Sequence, residues 1–189
     1  MNIDALVRNN VKMMSSYSSA RDDYNGGANK NLIYLDANES PFKNEINRYP
    51  DNKHTEIKKL VSDIKNVNVN QVVFGNGTDE ILDLIVRVFC NPNQDQIITL
   101  PPTYGMYDVI AKTNGVENIE IPLKSDFSID TDKILSLKTS NAKVLFLCSP
   151  NNPTGNSFDI NVLSDLIKDF KGVVVIDEAY IDFSSQKSL

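Results

Sequence analysis

Sulfur and imidazole are scarce in this sequence: two cysteines, Cys90 and Cys148, and one histidine, His54, among 189 residues. That set excludes a zinc constellation and a cysteine–histidine catalytic pair. Both cysteines stand in apolar surroundings, which predicts buried thiols acting as small hydrophobes, no disulfide framework, and a reducing, cytoplasmic setting. Basic residues are outnumbered, 19 Lys+Arg against 25 Asp+Glu, for a net charge of −6 and a pI of about 4.8. A nucleic-acid binder would show a basic face, so that class is set aside. No apolar run approaches the roughly 20 residues that span a bilayer. Residues 1–20 lack the apolar centre of a secretory signal. There is no internal repeat and no low-complexity segment, and the frequent asparagine reads as compositional bias. What remains is 41% hydrophobic and 23% charged residues, an ordinary globular composition. The length suffices for one domain with a real core.

Hydrophobic periodicity organises the chain. Ile3 to Met14 reads as a short helical arm, Tyr17 to Asn31 as loop, and Leu32 to Leu35 as an extended run. Pro41 and Pro50 bracket another loop. Ile57, Leu60, Val61 and Ile64 recur at helical spacing within His54 to Ile64. Helices are predicted at Asp79–Cys90, Tyr104–Thr113, Thr131–Leu137 and Ile160–Phe170. Asp83 and Arg87 share a face of the first, and Asn114-Gly115 closes the second. Strands are predicted at Gln71–Phe74, Gln96–Leu100, Asn118–Pro122, Val144–Leu147 and Val173–Ile176. Such alternation predicts an α/β fold with a mainly parallel sheet sandwiched by helices. The run Val173-Val174-Val175-Ile176 is apolar at every position, as in a strand covered on both faces.

Four motifs sit at the ends of these strands. Gly75-Asn76-Gly77-Thr78-Asp79-Glu80 joins a strand to a helix, where glycines admit a close ligand and the first helical N–H groups form an anion site. By itself the pattern is more often a turn before an N-capped helix. Glu80 stands where a dinucleotide fingerprint needs its third glycine, which discounts a nicotinamide or flavin site. Pro101-Pro102-Thr103-Tyr104-Gly105-Met106-Tyr107 offers a tyrosine that would lie over a flat ring, or would simply fill the core. Ser149-Pro150-Asn151-Asn152-Pro153-Thr154-Gly155 places amide donors outside a strand end, or is a plain Pro/Gly turn. Asp177-Glu178-Ala179-Tyr180 ends the last strand with a carboxylate, whose burial is costly without a donor or cation. A protonated pyridine nitrogen would serve, and so would a role for Asp177 as a cap. Singly each motif is ambiguous. In this order, at the ends of one sheet, they describe a pyridoxal 5′-phosphate pocket.

Residues beyond these motifs carry a closer resemblance. Tyr17-Ser18-Ser19-Ala20-Arg21, Leu35-Asp36-Ala37-Asn38-Glu39-Ser40-Pro41 and Arg48-Tyr49-Pro50-Asp51, with the four motifs, resemble the N-terminal half of the histidinol-phosphate aminotransferase family. These are fold-type I pyridoxal-phosphate enzymes, and the likeness runs over nearly the whole chain. It implies an N-terminal arm and part of a small domain over residues 1–45, and an incomplete cofactor-binding large domain over 46–189. It implies that the backbone around Thr78 and Asp79 binds the cofactor phosphate and that Tyr104 stacks on the ring. Asn152 and Tyr180 would contact the phenolic oxygen and Asp177 the ring nitrogen. Tyr49 would reach the cofactor phosphate of a partner subunit in a homodimer, and Tyr17 and Asn38 would lie near the substrate. Tyr17 and Tyr49 also read as surface-loop anchors, and His54 as an exposed helix start. The implied reaction moves an amino group between glutamate and imidazole-acetol phosphate, in histidine biosynthesis.

The chain departs from the family in one respect. An aminotransferase needs a lysine that bonds the cofactor and moves the proton, and in the family it follows a further strand. Lys187, in Ser185-Gln186-Lys187, is the sole lysine after Asp177, and no strand precedes it to hold the amine over the ring. The expectation is a fragment that carries no catalytic lysine, binds no metal, and is inactive alone. The rival expectations are a related enzyme, such as a threonine-phosphate decarboxylase-like protein, and a non-catalytic fragment.

Overall fold

The computed structural model describes residues 2–19, 33–137 and 141–189. The chain forms two compact units, Met1–Met13 with Gly75–Leu189, and Met14–Phe74. No helix among the described residues is long and apolar enough to cross a membrane.

The larger unit is built on four parallel strands, β1 (Gln96–Thr99), β2 (Glu117–Glu120), β3 (Ala142–Cys148) and β4 (Val173–Asp177), in the order β2-β1-β3-β4. The chain runs from β1 outward to β2, then returns past β1 to β3 and continues to β4. Right-handed crossovers running in opposite directions place their helices on opposite faces of the sheet. The packing follows that rule. On one face, α3 (Thr78–Phe89) and α4 (Met106–Thr113) cover Ile97, Val144, Phe146 and Cys148. On the other, α5 (Thr131–Ser136) and α6 (Ile160–Asp169) cover Ile98, Leu145 and Leu147. Successive strand residues point to opposite faces, so one continuous apolar run feeds both cores.

The expected sandwich is therefore present, with one correction. β4 lies at the edge of the sheet, and Val173 to Ile176 are only half-buried. The strand enclosed on both faces is β3, buried from Val144 to Cys148. An all-apolar run marks a strand with two covered faces, but it does not fix the number of lateral neighbours. Gly172 leads into β4, where a Cβ would stand 2.4 Å from the Lys143 carbonyl oxygen.

Local contacts set the helix ends. The Asp159 carboxylate accepts the Asn161 N–H at 2.7 Å at the start of α6, and Asp130 accepts the Lys133 N–H at 3.1 Å in α5. The Arg87 guanidinium meets Asp83 at 2.6 Å, the pairing foreseen for α3. The Asn114 amide reaches from the end of α4 to the same carboxylate at 2.7 Å. Burial pushes the Asp83 carboxyl upward, but the Asn114 and Arg87 donors outweigh it and hold it below the ordinary value. The predicted N-terminal helix is broken into a 3-10 turn, Ile3–Ala5, and α1 (Asn9–Lys12). Between them, Arg8 donates its N–H to the Val88 carbonyl at 3.0 Å and its guanidinium to the Arg87 carbonyl at 2.8 Å. A cation at the carboxyl end of α3 is where the helix dipole favours one.

The smaller unit contains α2 (Thr55–Lys65), whose entry is capped from outside the helix: Asp51 accepts the Thr55 N–H at 2.7 Å and the Lys53 N–H at 2.8 Å. The strand predicted at Gln71–Phe74 is absent. Gln71 instead closes a capping box with Asn68 around the 3-10 turn Val69–Gln71. Val72 beyond it is extended but joins no ladder among the described residues. Residues 33–35 likewise form no regular element, and the loop read at Tyr17 to Asn31 lies mostly outside the described residues.

Candidate functional site

The loops that leave β1, β3 and β4 and the amino end of α3 surround a cavity of about 250 Å³. Ligand sites in open α/β sheets lie outside the carboxyl ends of the strands, near the point where strand order reverses. This cavity has that position. A second hollow, lined by Asp95, Lys143 and Lys171 among others, lies at the opposite, amino ends of the strands and has no such topological support.

α3 begins after Gly77, whose backbone at φ 82° and ψ 172° is a conformation essentially confined to glycine. No side chain caps this helix, so the first N–H groups keep the anion-binding capacity of a helix start. Glu80 turns back to accept the Asn76 N–H at 2.5 Å and the Asn76 amide at 3.2 Å, which pins the loop before the helix. Gly75 leaves room for that arrangement, since a Cβ there would sit 2.9 Å from Glu80 Oε2.

Tyr104 stands half-buried at the mouth, its hydroxyl 3.1 Å from Asp79 Oδ1. Partial burial first, then the Asp79 carboxylate, pushes its phenol above the ordinary value, so it stays a neutral donor at neutral pH. Its ring meets Tyr107 edge-on at 5.6 Å.

The two asparagines of the Asn-Asn-Pro loop divide their tasks. Asn151 is buried and ties the loops together: its amide donates to the Pro102 carbonyl at 2.9 Å and to Thr154 at 2.7 Å, and its oxygen accepts from Thr103 at 3.0 Å. Asn152, its backbone fixed by that network, lines the cavity.

Asp177 ends β4 with its residue only 6% exposed. Two neutral donors meet its carboxylate, the Tyr107 hydroxyl at 2.7 Å and the Ala179 N–H at 3.1 Å. Tyr180 and Cys148 also line the cavity, the Cys148 thiol pushed up by burial.

Six residues singled out in the sequence thus line one cavity: Thr78, Asp79, Tyr104, Asn152, Asp177 and Tyr180. The other three, Tyr17, Asn38 and Tyr49, belong to the smaller unit and are exposed there. In that unit the Glu39 carboxylate accepts the Tyr49 N–H at 2.8 Å and pairs with Arg48 at 2.6 Å, joining the Asn38-Glu39-Ser40-Pro41 and Arg48-Tyr49-Pro50 segments. The sequence reading missed Tyr107. Its place in an aromatic segment was visible, but its bond to Asp177 spans 70 residues.

The family model for aminotransferase class I and II matches residues 23–189. The chain belongs to the aminotransferase class I and II family. Among curated relatives in that family, it is 53% identical over 187 residues to the histidinol-phosphate aminotransferase of Flavobacterium psychrophilum, covering 99% of this chain and 54% of the relative. It is 52% identical over 186 residues to the enzyme of the same name from Flavobacterium johnsoniae, covering 98% and 53%. The chain spans about half the length of the curated relatives it matches. The crystal structure of a histidinol-phosphate aminotransferase from Sinorhizobium meliloti in complex with pyridoxal 5′-phosphate has a TM-score of 0.69 and 21% identity, covering 75% of this chain and 39% of that one. At that identity it speaks for the fold: the parallel sheet with helices on both faces is the aminotransferase one.

Proposed function

We propose that this chain forms part of a pyridoxal 5′-phosphate-dependent aminotransferase that moves an amino group between glutamate and imidazole-acetol phosphate, in histidine biosynthesis. The observation that carries the reading is the cavity itself. A buried carboxylate with only neutral donors, an uncapped helix start and an aromatic ring meet at the carboxyl ends of one parallel sheet. Each matches a different part of the cofactor. The relatives named above supply the substrate class.

The residues fit the cofactor. The α3 start, with the backbone of Thr78 and Asp79, would hold the phosphate. Tyr104 would lie over the ring, kept in place by its bond to Asp79. Asn152 and Tyr180 would donate to the phenolic oxygen. Asp177 would face the ring nitrogen and keep it protonated, since a buried carboxylate favours an adjacent positive charge. When bound, the cofactor supplies an electron sink for the carbon that exchanges its amino group. The part played by this chain is to fix the ring plane, screen one face from water with Tyr104, and hold a proton at the ring nitrogen through Asp177.

The same reading assigns Tyr17 and Asn38 to the substrate side and Tyr49 to the phosphate of a partner subunit, in a cytoplasmic homodimer. The division into residues 1–45 and 46–189 belongs to this proposal also. Titration with pyridoxal 5′-phosphate, followed by the cofactor's absorbance, tests the pocket. Amino transfer from glutamate to imidazole-acetol phosphate, with threonine phosphate as the competing substrate, tests the reaction. It should be assayed on this chain and on the protein extended to the length of its relatives. No spectral change on titration, or turnover of threonine phosphate alone, overturns the reading.

A further inference from the structure

We infer that Tyr107 is a positioning residue for Asp177: its hydroxyl sets the carboxylate in the orientation from which it meets the cofactor's ring nitrogen. This rests on the proposed role of Asp177.

Tyr107 is 1% exposed on α4. Its ring stacks on Phe146 of β3, with centroids 4.9 Å apart and planes 7° from parallel, and the Tyr104 ring closes on it edge-on. Two rings and a helix backbone therefore fix where the hydroxyl falls, 2.7 Å from Asp177 Oδ2. A phenylalanine would fill the same volume and stack equally well, so packing does not account for the hydroxyl. A buried phenol needs a partner, and so does a buried carboxylate; here each satisfies the other. Burial, chiefly, pushes the phenol far above its ordinary value and keeps it a donor.

The second donor, the Ala179 N–H, binds the other oxygen, Oδ1. One bond to each oxygen fixes the plane of the carboxylate, and a carboxylate offers about four acceptor positions, so each oxygen retains one. No lysine or arginine among the described residues is paired with Asp177. The position for a cation is left to whatever enters the cavity.

The test is a double-substitution cycle read by the dissociation constant for pyridoxal 5′-phosphate and by the pH dependence of the bound cofactor's absorbance, neither of which needs turnover. Tyr107→Phe should weaken binding by about tenfold, the scale of a hydrogen bond to a charged group. It should also move the pH midpoint of the bound cofactor's band. In an Asp177→Asn background the same substitution should change neither readout. A Tyr107→Phe chain that binds as the unsubstituted one does, while Asp177→Asn binds more weakly, overturns this inference alone. Equal losses in both backgrounds overturn it too, since Tyr107 would then act through the core. If Asp177→Asn binds unchanged, or the unsubstituted chain does not bind, the role of Asp177 falls and this inference falls with it.

Discussion

The Tyr104 hydroxyl donates to the Asp79 carboxylate across 3.1 Å, joining the loop after β1 to the first turn of α3. The bond sets the tilt of an aromatic ring with the same turn that would receive a phosphate. Tyr104→Phe keeps the ring and loses the tether. It should weaken pyridoxal 5′-phosphate binding by a few-fold and leave the unfolding midpoint nearly unchanged, since the Asp79 carboxylate is exposed and turns to water instead. Tyr104→Ala should weaken binding further, by the stacking it removes. Absorbance titrations of the two variants check the order; equal losses would show that the tether, and not the ring, carries the effect.

Gly77 supplies a different kind of constraint. A Cβ there meets nothing within 4 Å, so space does not require glycine; the φ of 82° does. Gly77→Ala should cost about 1–3 kcal/mol if the backbone is kept, or should turn the α3 start away from the cavity. Only the second route lowers affinity for the cofactor phosphate. Competition by inorganic phosphate separates them: a chain that keeps the loop geometry retains its phosphate inhibition constant and loses only stability.

The legible part of this molecule was its strand-end chemistry. Thr78, Tyr104, Asn152 and Asp177 are far apart in sequence, yet each follows a strand or opens a helix, and a parallel sheet gathers such positions at one end. Helix α3 was legible because its apolar positions recur at helical spacing and glycine precedes it. Lateral order was not. Val173 to Ile176 read as a strand covered on both faces, yet β4 is a half-buried edge strand, because an apolar run is silent on neighbours in the plane of the sheet. The strand expected at Gln71–Phe74 failed for a local reason: the side chains of Asn68 and Gln71 bond each other's backbone and close a 3-10 turn. Tyr107 stayed hidden because a buried tyrosine in an aromatic segment looks the same whether or not its hydroxyl has a distant partner.

Gly172 makes a prediction for the edge of the sheet. A Cβ at this position would lie 2.4 Å from the Lys143 carbonyl oxygen and 2.6 Å from the Phe170 ring. The backbone oxygen has no rotamer by which to withdraw, so Gly172→Ala must push β4 away from β3 or distort the turn before it. It should destabilise the larger unit by about 1–3 kcal/mol, as overpacking does. A lower urea midpoint at unchanged denaturant slope is the expected result. An unshifted midpoint would mean that the turn has slack the structure does not show.

The buried thiols and Tyr107 predict a weakness on the alkaline side. Burial, with the Asp95 carboxylate adding to it, pushes Cys90 from an ordinary 9.0 up to about 12. Burial also raises Cys148, and it raises Tyr107 from its ordinary 10.0. Each group therefore keeps its proton in the folded state at a pH where the unfolded chain has lost it. With fewer protons bound by the unfolded state, stability falls as pH rises. The contribution of Cys90 is complete below pH 9.0 and is lost progressively as pH climbs toward about 12, and Tyr107 adds to the fall above pH 10.0. Urea midpoints measured across that range should decline, and Cys90→Ala, though less stable at neutral pH through its cavity, should decline less steeply. At neutral pH neither thiol should react with a disulfide reagent until the chain is unfolded, because the thiolate is the reactive form. A flat midpoint between pH 9.0 and about 12, or a folded chain whose Cys90 titrates near its ordinary 9.0, would contradict the burial that the core beneath α3 and α4 imposes.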